Sequence, residues 1–170
     1  QLLSVFAQAY AIRPYEPFRQ VMVETAQWME REMLDKSGGF YAALDADSEG
    51  EEGKFYVWTI EEIEAIAGDD ARLIKTYYDV QPKGNWEEGK NVLRKRMSDT
   101  EFTKAFGVSL EELSQAIARF KKAALQERSR RIRPGLDSKR IAGWNGLALT
   151  GLCRAYQVTG DEQFLKLAKG

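Results

Sequence analysis

The sequence predicts a mainly α-helical protein, a partial (α/α) toroid of helical hairpins with a small β-hairpin insertion near residues 39–59. Three observations carry that prediction. Apolar residues recur at intervals of three and four along several stretches, the spacing of one helix face. Trp144 to Val158 is apolar nearly all round, the pattern of a helix buried on most sides. An internal echo aligns Ala9-Tyr10-Ala11-Ile12-Arg13-Pro14-Tyr15-Glu16-Pro17-Phe18 with Ala155-Tyr156-Gln157-Val158-Thr159-Gly160-Asp161-Glu162-Gln163-Phe164. Both segments read as helix, tight turn, second helix. A repeated αα-hairpin, with buried helices alternating with amphipathic ones, is what a two-layered ring of hairpins requires.

Residues 1–12 read as a helix that Pro14 and Pro17 interrupt, with Pro17 suited to a first helical turn. Phe18, Val21, Met22, Thr25, Trp28, Met29 and Met33 then form one stripe, ended by Lys36-Ser37-Gly38-Gly39. Between residues 38 and 59, two aromatic, β-prone runs flank five carboxylates, the pattern of a hairpin. Thr59 with Glu62 forms a capping box for a helix through Ile63 and Ile66, interrupted by Gly68 and continued by Ala71–Tyr78. Residues 79–97 read as loop. Ser98-Asp99 opens a short helix to Phe106, and Ser109 with Glu112 opens a long one, residues 110–131. Pro134-Gly135 breaks the chain before the apolar helix. Asn145 sits where an N-cap is expected, and Gly146 and Gly151 are expected to admit close helix packing.

This order assigns residues 1–12, 60–78 and 144–158 to an inner layer, and residues 17–34, 110–131 and the helix from Asp161 to an outer one. Two loops then run from an outer helix to an inner one, at 38–59 and 133–144. Antiparallel packing puts both on one face, bringing Asp45, Asp47 and Glu49 towards Asp137, Trp144 and Asn145.

Composition excludes several chemistries. There is no histidine, which removes Ser-His-Asp and Cys-His catalysis and imidazole metal ligation from these residues. The one cysteine, Cys153, lies among Leu149, Leu152 and Tyr156 and is expected to be a buried inert thiol. A net charge of −1 argues for no nucleic-acid partner, and no apolar run approaches the ~20 residues of a membrane span. A cytoplasmic location is expected. Charge is uneven: ten acids against Lys54 between Asp45 and Asp70, nine bases against Glu127 and Asp137 between Arg119 and Arg140. Segments of opposite sign are expected to face each other or solvent. The chain opens at Gln1 inside an apolar helical pattern and stops at Gly170 as another begins, so a piece of a longer protein is expected.

Three segments resemble one family. They are Gly38-Gly39-Phe40-Tyr41 through Asp45-Ala46-Asp47-Ser48-Glu49-Gly50 and Gly53-Lys54-Phe55-Tyr56-Val57-Trp58-Thr59; Gly84-Asn85-Trp86-Glu87 with Gly89-Lys90-Asn91-Val92-Leu93; and Arg133-Pro134-Gly135-Leu136-Asp137-Ser138-Lys139 with Trp144-Asn145-Gly146-Leu147. In order and spacing they resemble the large thioredoxin-domain-containing proteins that include the spermatogenesis-associated member. The resemblance implies a thioredoxin-like domain followed by an (α/α) toroid similar to six-hairpin glycosidases and N-acylglucosamine epimerases. This chain, residues 1–170, resembles a slice of that toroid without the thioredoxin part. Where the family pattern has a histidine before Leu136 and an acid after Asp137, this chain has Gly135 and Ser138. No catalytic residues carry over from the family.

Paired carboxylates with aromatic platforms are the minimum for glycoside hydrolysis, one carboxyl protonating the leaving oxygen while the other activates water or attacks. Asp45 or Asp47 with Asp137 is the candidate pair, and Phe40, Tyr41, Glu49, Trp58, Trp144 and Asn145 are the candidate carbohydrate-binding residues. The competing structural roles are Asx turns at Asp45 to Ser48, and an Asp137 that only pairs with Lys139 or Arg140. Two other readings stand beside hydrolysis: a non-catalytic carbohydrate- or protein-binding module serving the thioredoxin-like partner, and a sugar epimerase whose histidines lie outside this chain. Asp45-x-Asp47-x-Glu49-Gly50 resembles the start of a calcium loop, but position twelve is Tyr56, so no metal and no cofactor is expected. The apolar helix in so partial a ring is expected to keep an exposed face, which a homo-oligomer or the missing parts of the full-length protein would cover.

Overall fold

Leu3 and Ala7 on one helix meet Leu152 and Ala155 on another, and this contact forms the core of one of two units into which the chain divides. The computed structural model describes residues 1–170. In chain order its elements are α1 (Leu2–Ile12), α2 (Glu16–Trp28), β1 (Ala43–Leu44), β2 (Asp47–Ser48), β3 (Glu51–Glu52), α3 (Ile60–Ala67), α4 (Ala71–Tyr77), α5 (Asp99–Phe106), α6 (Leu110–Arg128), β4 (Leu136–Asp137), α7 (Ala142–Thr159) and α8 (Glu162–Lys169). The chain is mainly helical, and no helix is long and apolar enough to cross a membrane.

Unit 1 comprises Gln1–Asp45 and Leu136–Gly170. It contains two αα-hairpins, α1–α2 and α7–α8, with α1 packed against α7. These are the two halves of the sequence echo: Phe18 and Phe164 open the second helix of each, and Arg19 reaches across to Asp161 at 3.1 Å. Pro17 lies in the first turn of α2, and a π-helical turn, Met29–Met33, ends that helix and turns Met33 into the interior. Gly151 lies where α7 meets α1, and a Cβ there would stand 2.9 Å from Leu3 Cβ. Gly146 has nothing within 4 Å of such a Cβ, so the close-packing role expected for it belongs to Gly151 alone. Three apolar side chains of α7 stay open, with Trp144 55%, Leu147 49% and Leu149 45% exposed.

Unit 2 comprises Ala46–Gly135. Here α3 and α4 pack on α6 around Trp58, Ile63, Ile74 and Phe120, while Phe102 of α5 joins Tyr77 and Leu113 in a second cluster. Both expected capping boxes are present, at Thr59/Glu62 and Ser109/Glu112, and Ser98/Glu101 adds a third. The acidic and basic segments meet as their signs require: Arg119 pairs with Asp70 and Arg131 with Glu62, each at 2.8 Å.

The expected insertion is strand-like, but its strands lie elsewhere than the aromatic runs. The hairpin proper is β2 against β3, turning through Glu49 and Gly50. Both turn residues have positive φ, 55° and 79°, the type I′ geometry that follows strand twist. Phe40 instead bridges Leu34, and Trp58 bridges Asn91. Phe55 and Trp58 are buried and Phe40 packs on the unit 1 core, while Tyr56 stays exposed, and the acidic middle makes the turn.

Candidate functional site

In unit 1 the start of the acidic loop and the loop before α7 run together. β1 pairs antiparallel with β4, Ala43 opposite Asp137 and Leu44 opposite Leu136. Two side chains from the α7 side hold this junction. Asn145 Oδ1 accepts from the Phe40 N–H at 2.6 Å, and its Nδ2 donates to the Phe40 carbonyl at 3.0 Å. One amide thus matches both hydrogen-bonding groups of a peptide. The helix itself begins three residues earlier, with Ile141 at the N-cap, so Asn145 clamps a neighbouring loop and is not the cap expected from sequence. Arg140 donates to Asp35 at 3.1 Å and to Ser37 Oγ at 2.7 Å.

Asp35 is the hub of this junction. It accepts from the Ser37 N–H at 2.8 Å, from the Ser37 hydroxyl and from the Tyr41 hydroxyl. The Ser37 hydroxyl, then Tyr41 and the Ser37 backbone, with the charge of Arg140, hold its carboxyl at about 2, below the ordinary 3.8. The same bond to Asp35 raises the Tyr41 phenol. Asp35 therefore stays anionic and Tyr41 stays protonated at neutral pH, so the pair anchors the loop.

Asp137 accepts from the Lys139 N–H at 3.2 Å and pairs with Lys139 Nζ at 3.0 Å. Its pKa is lowered, chiefly by the Lys139 side chain and then by the Lys139 backbone N–H. Asp45 is exposed and lies two residues beyond Ala43, the partner of Asp137. Trp144 lines a groove of about 460 Å³ with Leu2, Leu3, Trp28, Met29 and Leu147. Phe40 faces a smaller cavity of about 290 Å³ beside Leu34, Leu149 and Leu152.

The remaining predicted site residues belong to unit 2. Asp47 is exposed in β2, and Glu49 in the turn pairs with Lys54 at 3.5 Å. Glu51 takes Lys54 at 2.6 Å and Lys90 at 2.9 Å, which relieves the repulsion of so many carboxylates. Its pKa is lowered by Lys54 first and Lys90 second. Trp58 is 4% exposed, and the Arg131 guanidinium covers its ring at 3.9 Å from the centroid, leaving no open face for a sugar. Arg131 also donates to the carbonyls of Phe55 at 3.1 Å and Val57 at 2.7 Å. The structure thus brings Asp45, Asp137, Phe40, Tyr41, Trp144 and Asn145 into one unit and Asp47, Glu49 and Trp58 into the other.

Sequence reasoning missed Asp35, Ser37 and Arg140. Asp35-Lys36-Ser37-Gly38-Gly39 carries an Asx-turn signature that names the first two. Nothing local marks Arg140, which acts 105 residues away.

No family model matches the chain. Over 99% of its length it is 34% identical to a Caenorhabditis elegans protein described as uncharacterised. Over the same share it is 30% identical to spermatogenesis-associated protein 20 of Homo sapiens and 31% identical to that of Rattus norvegicus. It covers 26%, 25% and 24% of those proteins respectively, and so spans about a quarter of the length of the curated relatives it matches. The chain is homologous to a segment of these longer proteins.

Proposed function

We propose that the chain is a slice of a carbohydrate-handling (α/α) toroid in a thioredoxin-domain-containing protein, and that the junction in unit 1 is its sugar site. The observation that carries this reading is the register of β1 on β4. Asp45 follows β1 directly, two residues beyond Ala43, the residue that stands opposite Asp137. Inverting glycosidases hold their carboxyls ~6.5–9.5 Å apart, with a water between one carboxylate and the sugar. In this mechanism one carboxyl protonates the glycosidic oxygen as the bond to the anomeric carbon breaks. Asp137, kept ionised by Lys139, takes a proton from the attacking water. Exposed Trp144 offers the stacking face.

A second reading has its own support. Asp137 has its pKa displaced downwards, chiefly by the Lys139 side chain. An acid catalyst needs the opposite displacement. That favours a module that binds a carbohydrate without cleaving it. Calorimetric titration of the full-length protein with a panel of glycosides, followed by anomer-resolved NMR of any product, separates the two. Product of inverted configuration supports hydrolysis, binding without turnover supports the module, and no heat with any sugar removes both.

A further inference from the structure

We infer that residues 46–135 form an inserted unit that folds and unfolds independently of the unit into which it is inserted. Unit 1 is assembled from two separated stretches of chain, and the connections leave it after Asp45 and return at Leu136. The last rung of its β1/β4 ladder is Leu44 opposite Leu136, so the two connections depart as neighbouring strands. Directly opposed residues in such a pair lie ~4.5–5.5 Å apart, a gap that a tight turn closes. Unit 1 therefore needs nothing from residues 46–135 to hold its two stretches together. Asn145 and Arg140 fasten them from within.

Unit 2 closes its own ends by separate means. Ser48, 3% exposed, donates its hydroxyl to the Ile132 carbonyl at 2.7 Å, and Ala46 O accepts from the Gly53 N–H at 3.0 Å. Arg131, near the other end, reaches back to the carbonyls of Phe55 and Val57 and to Glu62. Each unit also has its own core. The cluster around Leu152 and Phe164 lies wholly in unit 1, and those around Ile74 and Phe102 lie wholly in unit 2. A unit with a private core and adjacent ends has what an inserted domain requires. Such units open as separate cooperative blocks.

Native-state hydrogen exchange on the 170-residue chain tests this, using one mild core deletion per unit. Ile74→Val should speed exchange of the most protected amides of α3, α4 and α6 by about two- to tenfold. The amides of α1 and α7 should hold their rates. Leu152→Val should do the reverse. If a variant is too mild to move its own unit, Ile74→Ala and Leu152→Ala replace the pair. The inference is overturned if either substitution accelerates the most protected amides of both units alike, because they would then unfold as one block.

Discussion

The three glycines of α7 allow a sharp test of how α1 and α7 meet. A methyl added at Gly151 would sit 2.9 Å from Leu3 Cβ, with Leu3 Cδ1 and the Ser4 nitrogen each at 3.6 Å. Carbon atoms prefer about 3.5–4.0 Å, so the helices would have to part by ~0.6–1 Å. Overpacking of this kind costs about 1–3 kcal/mol. Replacing a mid-helix glycine by alanine returns about 0.5–1 kcal/mol, so Gly151→Ala should be net destabilising by about 1 kcal/mol. At Gly146 a Cβ meets nothing within 4 Å, and only the gain remains. With a urea slope of about 2 kcal/mol per molar, the Gly151→Ala midpoint should fall by ~0.5 M while that of Gly146→Ala rises by ~0.4 M. Both are read by circular dichroism or by exchange of unit 1 amides. A Gly151→Ala protein as stable as Gly146→Ala would refute the close approach of α1 to α7.

Three further outcomes follow from the same contacts. Asn145→Ala strands the N–H and carbonyl of Phe40 and should cost unit 1 about 1–3 kcal/mol, with faster exchange at the Phe40 amide; an unchanged midpoint means the clamp is dispensable. Arg131→Lys keeps the charge but loses the fork that spans Phe55, Val57 and Glu62, so unit 2 should lose about 2 kcal/mol in urea denaturation. Asp35 has a folded pKa of about 2 against 3.8 unfolded, so its contribution is present above the unfolded value and is lost as pH falls between the two. Asp35→Asn should flatten the acid limb of unit 1 stability over that window, and an identical limb in both proteins would mean Asp35 is not the hub described.

Helices were legible because their signals are local. Thr59 and Glu62, or Ser109 and Glu112, sit three residues apart and fix a helix start without reference to the rest of the chain. The echo between residues 9–18 and 155–164 found the two hairpins of unit 1 for the same reason. The strands were misplaced because pairing is decided by distant partners: Trp58 pairs with Asn91, and Ala43 with Asp137, 94 residues away. Aromatic content marks Phe55 as a strand residue, yet it lies in a turn, buried with Arg128 of α6 over its ring. The candidate site was half legible. Connectivity alone brought the two loops of unit 1 together, but the groups that fasten them, Arg140 on Asp35 and Asn145 on Phe40, lie about a hundred residues apart in sequence. The acidic run begins at Asp45 and Pro134-Gly135 stands just before Leu136, yet neither signals a unit boundary by itself, because the strand pair that sets it joins residues 94 apart.

Carbohydrate recognition at the unit 1 junction is tested most directly by saturation-transfer NMR. The full-length protein is titrated with a panel of neutral and acidic glycosides, beside Asp45→Asn/Asp137→Asn and Trp144→Ala variants of the same protein. Transfer to ring protons of at least one sugar is expected, at least tenfold weaker in both variants, with the folded state unchanged by circular dichroism. A panel without transfer, or transfer undiminished by both variants, would contradict a sugar site at this junction.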